Sequence, residues 1–146
     1  MYQFYLELEL IKPVYDYFKK QGYIVKKEIR IGYCRADLVA FKDNETIAIE
    51  LKIKDIKKAI IQAKNYQLGA DYVYLAFPLC RSYSILRKSE HILKKEGIGL
   101  LLVNEKTYNV SKIIDANYSN KNFGSIRLYE IKKFSNIRKN LKKRVL

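Results

Sequence analysis

Hydrophobic residues recur along this chain with two spacings, one typical of helices and the other typical of strands. A helix is predicted over residues 4–21, and Gly22 is a natural stop for it. Its apolar face is formed by Leu10, Val14, Tyr17 and Phe18. Pro13 removes one interior hydrogen bond, so the helix could also begin near this residue.

The rest of the first two thirds of the chain alternates short apolar segments with amphipathic ones. Strands are predicted over 24–31, 36–41, 45–53, 72–77 and 98–103, and helices over 56–68 and 84–96. Asp55 and Ser84 are the predicted N-caps of these helices, and Gly69 and Gly97 are the predicted stops.

The element order αβββαβαβ predicts an α/β fold. Three successive strands form an antiparallel meander, and crossover helices connect the later strands, which gives a central mixed sheet flanked by helices. The length of 146 residues suits one domain, with a core over 1–103 and a basic extension of the same domain over 104–146. In the extension, a strand over 125–131 and a short basic helix over 134–145 are one interpretation, and a disordered basic tail is the other.

Charged side chains interrupt the third predicted strand near its end. Alternation along a strand predicts that Glu50 and Lys52 project to one face, while Ile49, Leu51 and Ile53 project to the opposite, buried face. A charged pair within an apolar strand costs free energy unless it is satisfied, so this pair calls for a functional explanation.

Asp37, on the preceding predicted strand, supplies a second carboxylate beside this pair. Mg²⁺ prefers hard oxygen ligands, which Asp37 and Glu50 would provide together with the Leu51 carbonyl. Lys52 would orient the attacking water and offset charge that develops on phosphorus. The pattern therefore predicts a metal site that cleaves phosphodiesters. The alternative for each residue is an exposed charge or an ion pair at a sheet edge.

These residues resemble the motifs of a known family. Asp37 precedes an apolar strand, Glu50-Leu51-Lys52 follows, and the next helix carries Gln62-Ala63-Lys64-Asn65-Tyr66, which looks like the QxxxY motif of RecB-type nucleases. The set resembles the PD-(D/E)xK nuclease superfamily over roughly residues 4–103, with Ala36-Asp37 in place of the Pro-Asp pair. The resemblance implies a restriction-endonuclease-like αβββαβ core and a Mg²⁺- or Mn²⁺-dependent deoxyribonuclease.

The resemblance also implies roles for three further residues. Glu7 lies on the helical face of Leu10 and Val14, and related nucleases often recruit a glutamate of the first helix to the metal. Its alternative is an acidic helix start that complements the helix dipole. Gln62 and Tyr66 would support the site or contact the DNA backbone, and the alternative is an ordinary half-buried helical pair.

Composition favours a nucleic-acid partner. There are 29 Lys and Arg residues against 15 Asp and Glu residues, a formal net charge of +14, and the lysines are interleaved with tyrosines that offer stacking surface. Cys34 and Cys80 are too few for a disulfide framework, which fits a reducing cytoplasm. The sequence contains no apolar run as long as a membrane span, no signal-peptide pattern and no glycine-rich nucleotide loop.

Three classes of function stay open on the sequence alone. The favoured one is a metal-dependent DNA endonuclease of a junction, repair, restriction or mobile-element type. The second is a non-catalytic nucleic-acid-binding protein on a nuclease-like fold, and the third is a basic interaction protein without activity. Because one chain carries one site and a duplex has two strands, we expect the nuclease to be a homodimer.

The basic carboxyl end predicts a DNA-binding segment. Seven basic residues and no acidic residue occur over 132–144: Lys132, Lys133, Arg138, Lys139, Lys142, Lys143 and Arg144. Lysine and arginine that neutralise phosphates release counterions, so removal of residues 132–146 should weaken DNA binding for all sequences and flatten its salt dependence. Fluorescence anisotropy over a series of salt concentrations measures this slope, and identical slopes for both chains would exclude the segment from binding.

Overall fold

A computed structural model of the chain describes residues 3–31 and 34–119. The helices are α1 (Ile11–Lys20), α2 (Ile56–Tyr66) and α3 (Ser82–Glu96), with 3₁₀ turns at Glu7–Leu10 and Leu79–Arg81. The strands are β1 (Ile24–Ile31), β2 (Cys34–Lys42), β3 (Glu45–Leu51), β4 (Tyr72–Pro78), β5 (Gly99–Val103) and β6 (Val110–Ile114). The predicted order of elements through β5 is confirmed.

Several predicted element ends are wrong by a few residues. The first helix becomes α-helical only at Ile11, which places Pro13 in its first turn, where a missing N–H costs little. The preceding turn is closed by Glu9, whose Oε1 accepts the backbone N–H groups of Tyr5 and Leu6. The Asp55 cap of α2 is confirmed, since its Oδ1 accepts the backbone N–H of Lys58 at 3.2 Å.

The predicted end of α2 and the predicted start of α3 also shift. Ser84 is not an N-cap, because α3 begins at Ser82 after a 3₁₀ turn. α2 ends at Tyr66, and residues 67–69 form a turn rather than a last helical stretch. Gly97 does end α3, in a left-handed conformation with φ of 73° that glycine adopts without steric cost.

The strands form one six-stranded sheet in which spatial order equals chain order, β1 to β6. The β1–β2 and β2–β3 pairs are antiparallel, β3–β4 and β4–β5 are parallel, and β5–β6 is antiparallel. The mixed sheet expected from the meander and the crossover helices is therefore confirmed. The sequence did not predict β6, because this edge strand is mostly exposed and lacks a clear alternation of apolar and polar residues.

Helices cover both faces of the sheet. The face under α2 and α3 includes Ala48, Leu75 and Leu100, whereas the face under α1 includes Ile49 and Leu101. The strands β3, β4 and β5 are consequently buried on both sides, as their near-continuous apolar sequences indicate. The expectation that only the Ile49 side of β3 is buried is wrong, since Glu50 is itself 3 % exposed.

Two further predictions concern membrane-spanning segments and the carboxyl-terminal extension. Within the described residues, the helices are all too short or too polar to cross a bilayer. The strand predicted over 125–131, the helix predicted over 134–145 and the seven basic residues of 132–144 lie outside the described residues.

Close packing between β4 and β5 generates a test of the fold. Gly99 lies against the ring of Tyr74, and a Cβ added at Gly99 would overlap that ring and approach the Ala116 nitrogen to 2.9 Å. Gly99→Ala should therefore lower the free energy of unfolding by about 1–3 kcal/mol through overpacking. In urea denaturation, adding Tyr74→Leu should cost less in the Gly99→Ala background than in wild type. Strictly additive costs would contradict this contact.

Candidate active site

The site begins where β2 separates from β3. Regular pairing of these strands ends at Leu38 and Ile49, so Asp37 and Glu50, the next positions along, are not paired with each other. Instead, Asp37 Oδ2 accepts the backbone N–H of Leu51 at 2.8 Å. A side-chain carboxylate thus replaces a backbone partner at the end of β3. This exchange opens the sheet and places the Asp37 carboxylate beside Glu50.

Glu50 is held by a hydrogen bond from α2. The Tyr66 hydroxyl lies 2.7 Å from Glu50 Oε1 and 2.9 Å from the carbonyl oxygen of Arg35. A hydroxyl has only one hydrogen, so Tyr66 cannot donate to both acceptors at once. When Glu50 is ionised, Tyr66 donates to it; when Glu50 is protonated, it can donate to Tyr66, which then donates to Arg35. The arrangement accommodates both charge states of Glu50.

The proton affinity of Glu50 is unusually high. The pKa of Glu50 is raised from 4.5 to about 7, first by burial and then by the charge of Asp37 and a hydrogen bond with it, while Tyr66 and Lys52 act in the opposite direction. Burial also raises the pKa of the Tyr66 hydroxyl, which keeps it a donor. The charge of Asp37 therefore adds to the effect of burial and makes ionisation of Glu50 harder.

Lys52 lies between two acidic side chains. Its Nζ is 3.8 Å from Glu50 Oε2 and 3.9 Å from Glu7 Oε1. The Lys52 side chain is only 12 % exposed, and its backbone N–H donates to the Ala76 carbonyl, which extends the β3–β4 pairing by one residue. Lys52 thus brings its ammonium group to the Glu50 carboxylate from a fixed backbone position.

Glu7 reaches the site from the surface. The expectation that it continues a helical stripe towards the core is wrong, because it lies on a 3₁₀ turn and its side chain is 50 % exposed. It nevertheless lines a cavity of about 620 Å³ together with Asp37 and Leu51. Lys27 and Glu28 of β1 line the same cavity, although no motif in the sequence marks either of them as a site residue.

The two residues of the QxxxY motif have different environments. Tyr66 is 2 % exposed and contacts Glu50 directly. Gln62 lies one helical turn earlier and is half-buried. Its Oε1 is buried and finds no hydrogen-bond partner in the part of the chain that the structure describes. The structure therefore brings Tyr66 to the carboxylates, while Gln62 keeps an unused acceptor.

The donor set fits a hard divalent cation. In residues 3–31 and 34–119, no three His, Cys, Asp or Glu side chains are grouped closely enough to bind a metal by themselves. Mg²⁺, however, is commonly bound through one or two carboxylates and several waters. Asp37 and Glu50 are such a pair, and the pKa of Glu50 stays raised even with the Lys52 ammonium nearby, so a bound cation would stabilise its ionised form.

The raised pKa of Glu50 makes stability depend on pH. In the metal-free protein the folded state binds this proton more tightly than the unfolded chain. Its contribution is therefore complete below about pH 4.5 and is lost as the pH rises through about 7. We expect urea denaturation to give a free energy of unfolding that falls over this range by up to a few kcal/mol, at about 1.4 kcal/mol for each unit of pKa shift.

Glu50→Gln is the matched control, because the amide is isosteric and does not titrate. This variant should lack that part of the pH dependence, and Mn²⁺ should stabilise wild type but not the variant at about pH 8. Parallel stability profiles for the two proteins would contradict the assignment to Glu50.

Comparison with known proteins supports the fold. No family model and no curated protein matches the chain. Among solved structures, a protein of unknown function from Silicibacter pomeroyi matches with a TM-score of 0.63 and 19% identity, over 93% of this chain and 88% of that chain. An XisH family protein from Nostoc punctiforme PCC 73102 matches with a TM-score of 0.54 and 17% identity, over 73% of this chain and 97% of that chain. The chain thus has a restriction-endonuclease-like α/β fold, with a six-stranded mixed sheet flanked by helices.

Proposed function

We propose that this protein is a metal-dependent DNA endonuclease of the PD-(D/E)xK type. The observation that carries the proposal is the buried Glu50 carboxylate beside Asp37, with the Lys52 ammonium 3.8 Å away. A purely structural site would gain nothing from two carboxyl groups whose joint ionisation is unfavourable. A divalent cation that binds both carboxylates next to Lys52 would explain why these three side chains occur together.

Each side chain has a separate task in hydrolysis. Asp37 and Glu50 would hold Mg²⁺ or Mn²⁺, and the Leu51 carbonyl is the third proposed ligand. When bound, the cation supplies Lewis-acid polarisation of the phosphoryl oxygen and a more acidic water. Lys52 orients the attacking water and stabilises the charge that develops on phosphorus. Tyr66 fixes the Glu50 carboxylate, Glu7 lines the cavity beside Asp37, and Gln62 would support the site or contact the DNA backbone.

DNA is the proposed substrate because the chain as a whole is strongly basic while the proposed site itself carries two carboxylates. The formal net charge of +14 attracts a polyanion, and the acidic pair requires a cation before a phosphate can approach it. The cavity beside Asp37 has an open mouth flanked by Lys27, which is exposed. The basic residues of 132–144 would add contacts to the DNA backbone.

The proposed function also bears on the oligomeric state of the protein and on its cellular compartment. Cleavage of both strands requires two sites, so we include a homodimer in the proposal. Cys34 and Cys80 are both free thiols, which fits a reducing cytoplasm.

Cleavage assays with single variants test this function. In the presence of Mg²⁺ or Mn²⁺, the wild type should cut DNA, while Asp37→Ala, Glu50→Gln and Lys52→Ala should each lose roughly 10²-fold or more in rate, because each loses charge stabilisation at the reacting phosphate. A panel of linear, nicked, flapped and four-way DNA reports which structure is preferred.

Asp16→Ala is a suitable control for these variants. Asp16 is an acidic residue on α1 that pairs with Lys12 through its Oδ2 at 3.0 Å and does not line the Asp37 cavity. This variant should cut at the wild-type rate. Metal-dependent cleavage by Glu50→Gln at the wild-type rate would refute the proposed chemistry, and DNA binding by wild type without cleavage of any substrate would instead support a non-catalytic binding protein.

A further inference from the structure

Glu28 has an unusual backbone conformation in the middle of β1. Its φ is 51°, a left-handed value that glycine or asparagine normally adopts and that a strand residue avoids. The side chain is exposed and lines the cavity beside Asp37, so packing of this side chain against the core does not explain the conformation. Left-handed residues other than glycine cluster at functional sites, where the surrounding structure enforces them.

The conformation coincides with a gap in the β1–β2 ladder. Lys27 pairs with Leu38 and Ile29 pairs with Ala36, whereas Glu28 and Asp37, which lie between these pairs, are not paired. The register is the same on both sides of the gap. No residue has been inserted, so this feature is not a bulge in one strand. The two strands change direction together at one pair of residues.

The gap reverses the faces of both strands. Ala36 and Leu38 are two residues apart and should share a face, yet Ala36 packs under α2 and α3 while Leu38 packs under α1. On β1, Val25 packs under α1 and Ile29 packs on the opposite face, although four residues separate them. The side chains before and after these positions therefore point to opposite faces of the sheet, and the change occurs at Glu28 on β1 and at Asp37 on β2.

This reversal is what frees the Asp37 carboxylate for the site. Asp37 is unpaired with β1 on one side and with β3 on the other. Its Oδ2 instead accepts the Leu51 N–H at 2.8 Å, next to Glu50. If Glu28 were extended, β1 and β2 would pair continuously, and Asp37 would have to follow the regular pleat of β2.

We propose that Glu28 is a positioning residue whose left-handed backbone sets the Asp37 carboxylate in the metal site. The property that matters is the conformation at position 28, and the Glu28 carboxylate itself is not required. The inference rests on the proposed function for its link to metal binding, but the hydrogen bond between Leu51 and Asp37 reports on it without any metal.

Three substitutions at position 28 separate the effect of the backbone conformation from the effect of the side-chain charge. Glu28→Gly keeps the left-handed conformation and removes the side chain, while Glu28→Gln removes only the charge. Glu28→Val disfavours the left-handed conformation strongly, because a β-branched residue is a genuine outlier there. Lys27→Val is the matched control, since it introduces the same residue at the neighbouring exposed position of β1, which lacks a positive φ.

Amide hydrogen exchange by NMR, without metal, gives the first measurement. In Glu28→Val the Leu51 amide should exchange at least about tenfold faster, since it loses its acceptor. The Lys52 amide, which donates to the Ala76 carbonyl at 3.0 Å, should keep its protection and serves as the internal reference. Glu28→Gly, Glu28→Gln and Lys27→Val should leave both amides as in wild type.

Calorimetric titration with Mn²⁺ gives the second measurement. Glu28→Val should bind Mn²⁺ about tenfold or more weakly, the usual effect of disturbing a residue that orients a metal ligand. Glu28→Gly and Glu28→Gln should bind as wild type does. In the Asp37→Asn background, Glu28→Val should cause no further loss, because its effect passes through Asp37.

The outcomes distinguish this inference from the proposed function. Wild-type Leu51 protection and Mn²⁺ affinity in Glu28→Val would overturn the inference, as would an equal loss of affinity in Glu28→Gln, which would assign the effect to charge. If Glu28→Val does not fold, Glu28→Gly decides, since weakened Mn²⁺ binding in a folded Glu28→Gly protein overturns the inference as well. If wild type binds no Mn²⁺ at all, the proposed metal site fails, and the exchange of the Leu51 amide still tests the positioning role.

Discussion

Burial of β3 on both faces is the constraint from which the rest of the site follows. Helices on each side of the sheet exclude water from this strand, so a charged residue in it has no solvent to stabilise its charge. Glu50 occupies such a position and is 3 % exposed. Its ionised form depends on a few fixed partners, the Tyr66 hydroxyl and the Lys52 ammonium. The neighbouring side chains either stabilise the charge of this carboxylate, as Tyr66 and Lys52 do, or oppose it, as Asp37 does.

Tyr66 and Lys52 do not fully stabilise the ionised form of Glu50, and Asp37 is one reason. It shares the dry end of β3 with Glu50, and its charge opposes ionisation of the pair. In a protein selected for stability alone, such a pair would be replaced by apolar residues of similar volume, which are often at least as stable. The proposed nuclease activity gives a reason to keep it, because a cation held by both carboxylates would offset the repulsion between them and would supply Lewis-acid chemistry near Lys52.

The backbone around Asp37 also departs from the most regular arrangement. The sheet is regular through β3, β4 and β5, where both parallel pairings run uninterrupted. Around Asp37 it is irregular, since pairing with β1 skips one position and pairing with β3 stops. A left-handed Glu28 is tolerated opposite this residue. The irregularity places the Asp37 carboxylate where a regular strand would place a backbone acceptor, so that Asp37 Oδ2 accepts the Leu51 N–H.

The sequence by itself determined the elements, their order and the type of sheet, because these depend on local periodicity and on short connections between neighbouring elements. It also identified Asp37, Glu50, Lys52 and Tyr66, whose charges or position within apolar segments are visible without coordinates. Only the tertiary structure decided that Glu50 lies on a buried face, since burial depends on what packs against each side of β3. The strand β6 and the left-handed Glu28 were not predicted either, because an exposed edge strand carries little hydrophobic signal and a positive φ at glutamate is imposed by the partner strand rather than by the residue itself.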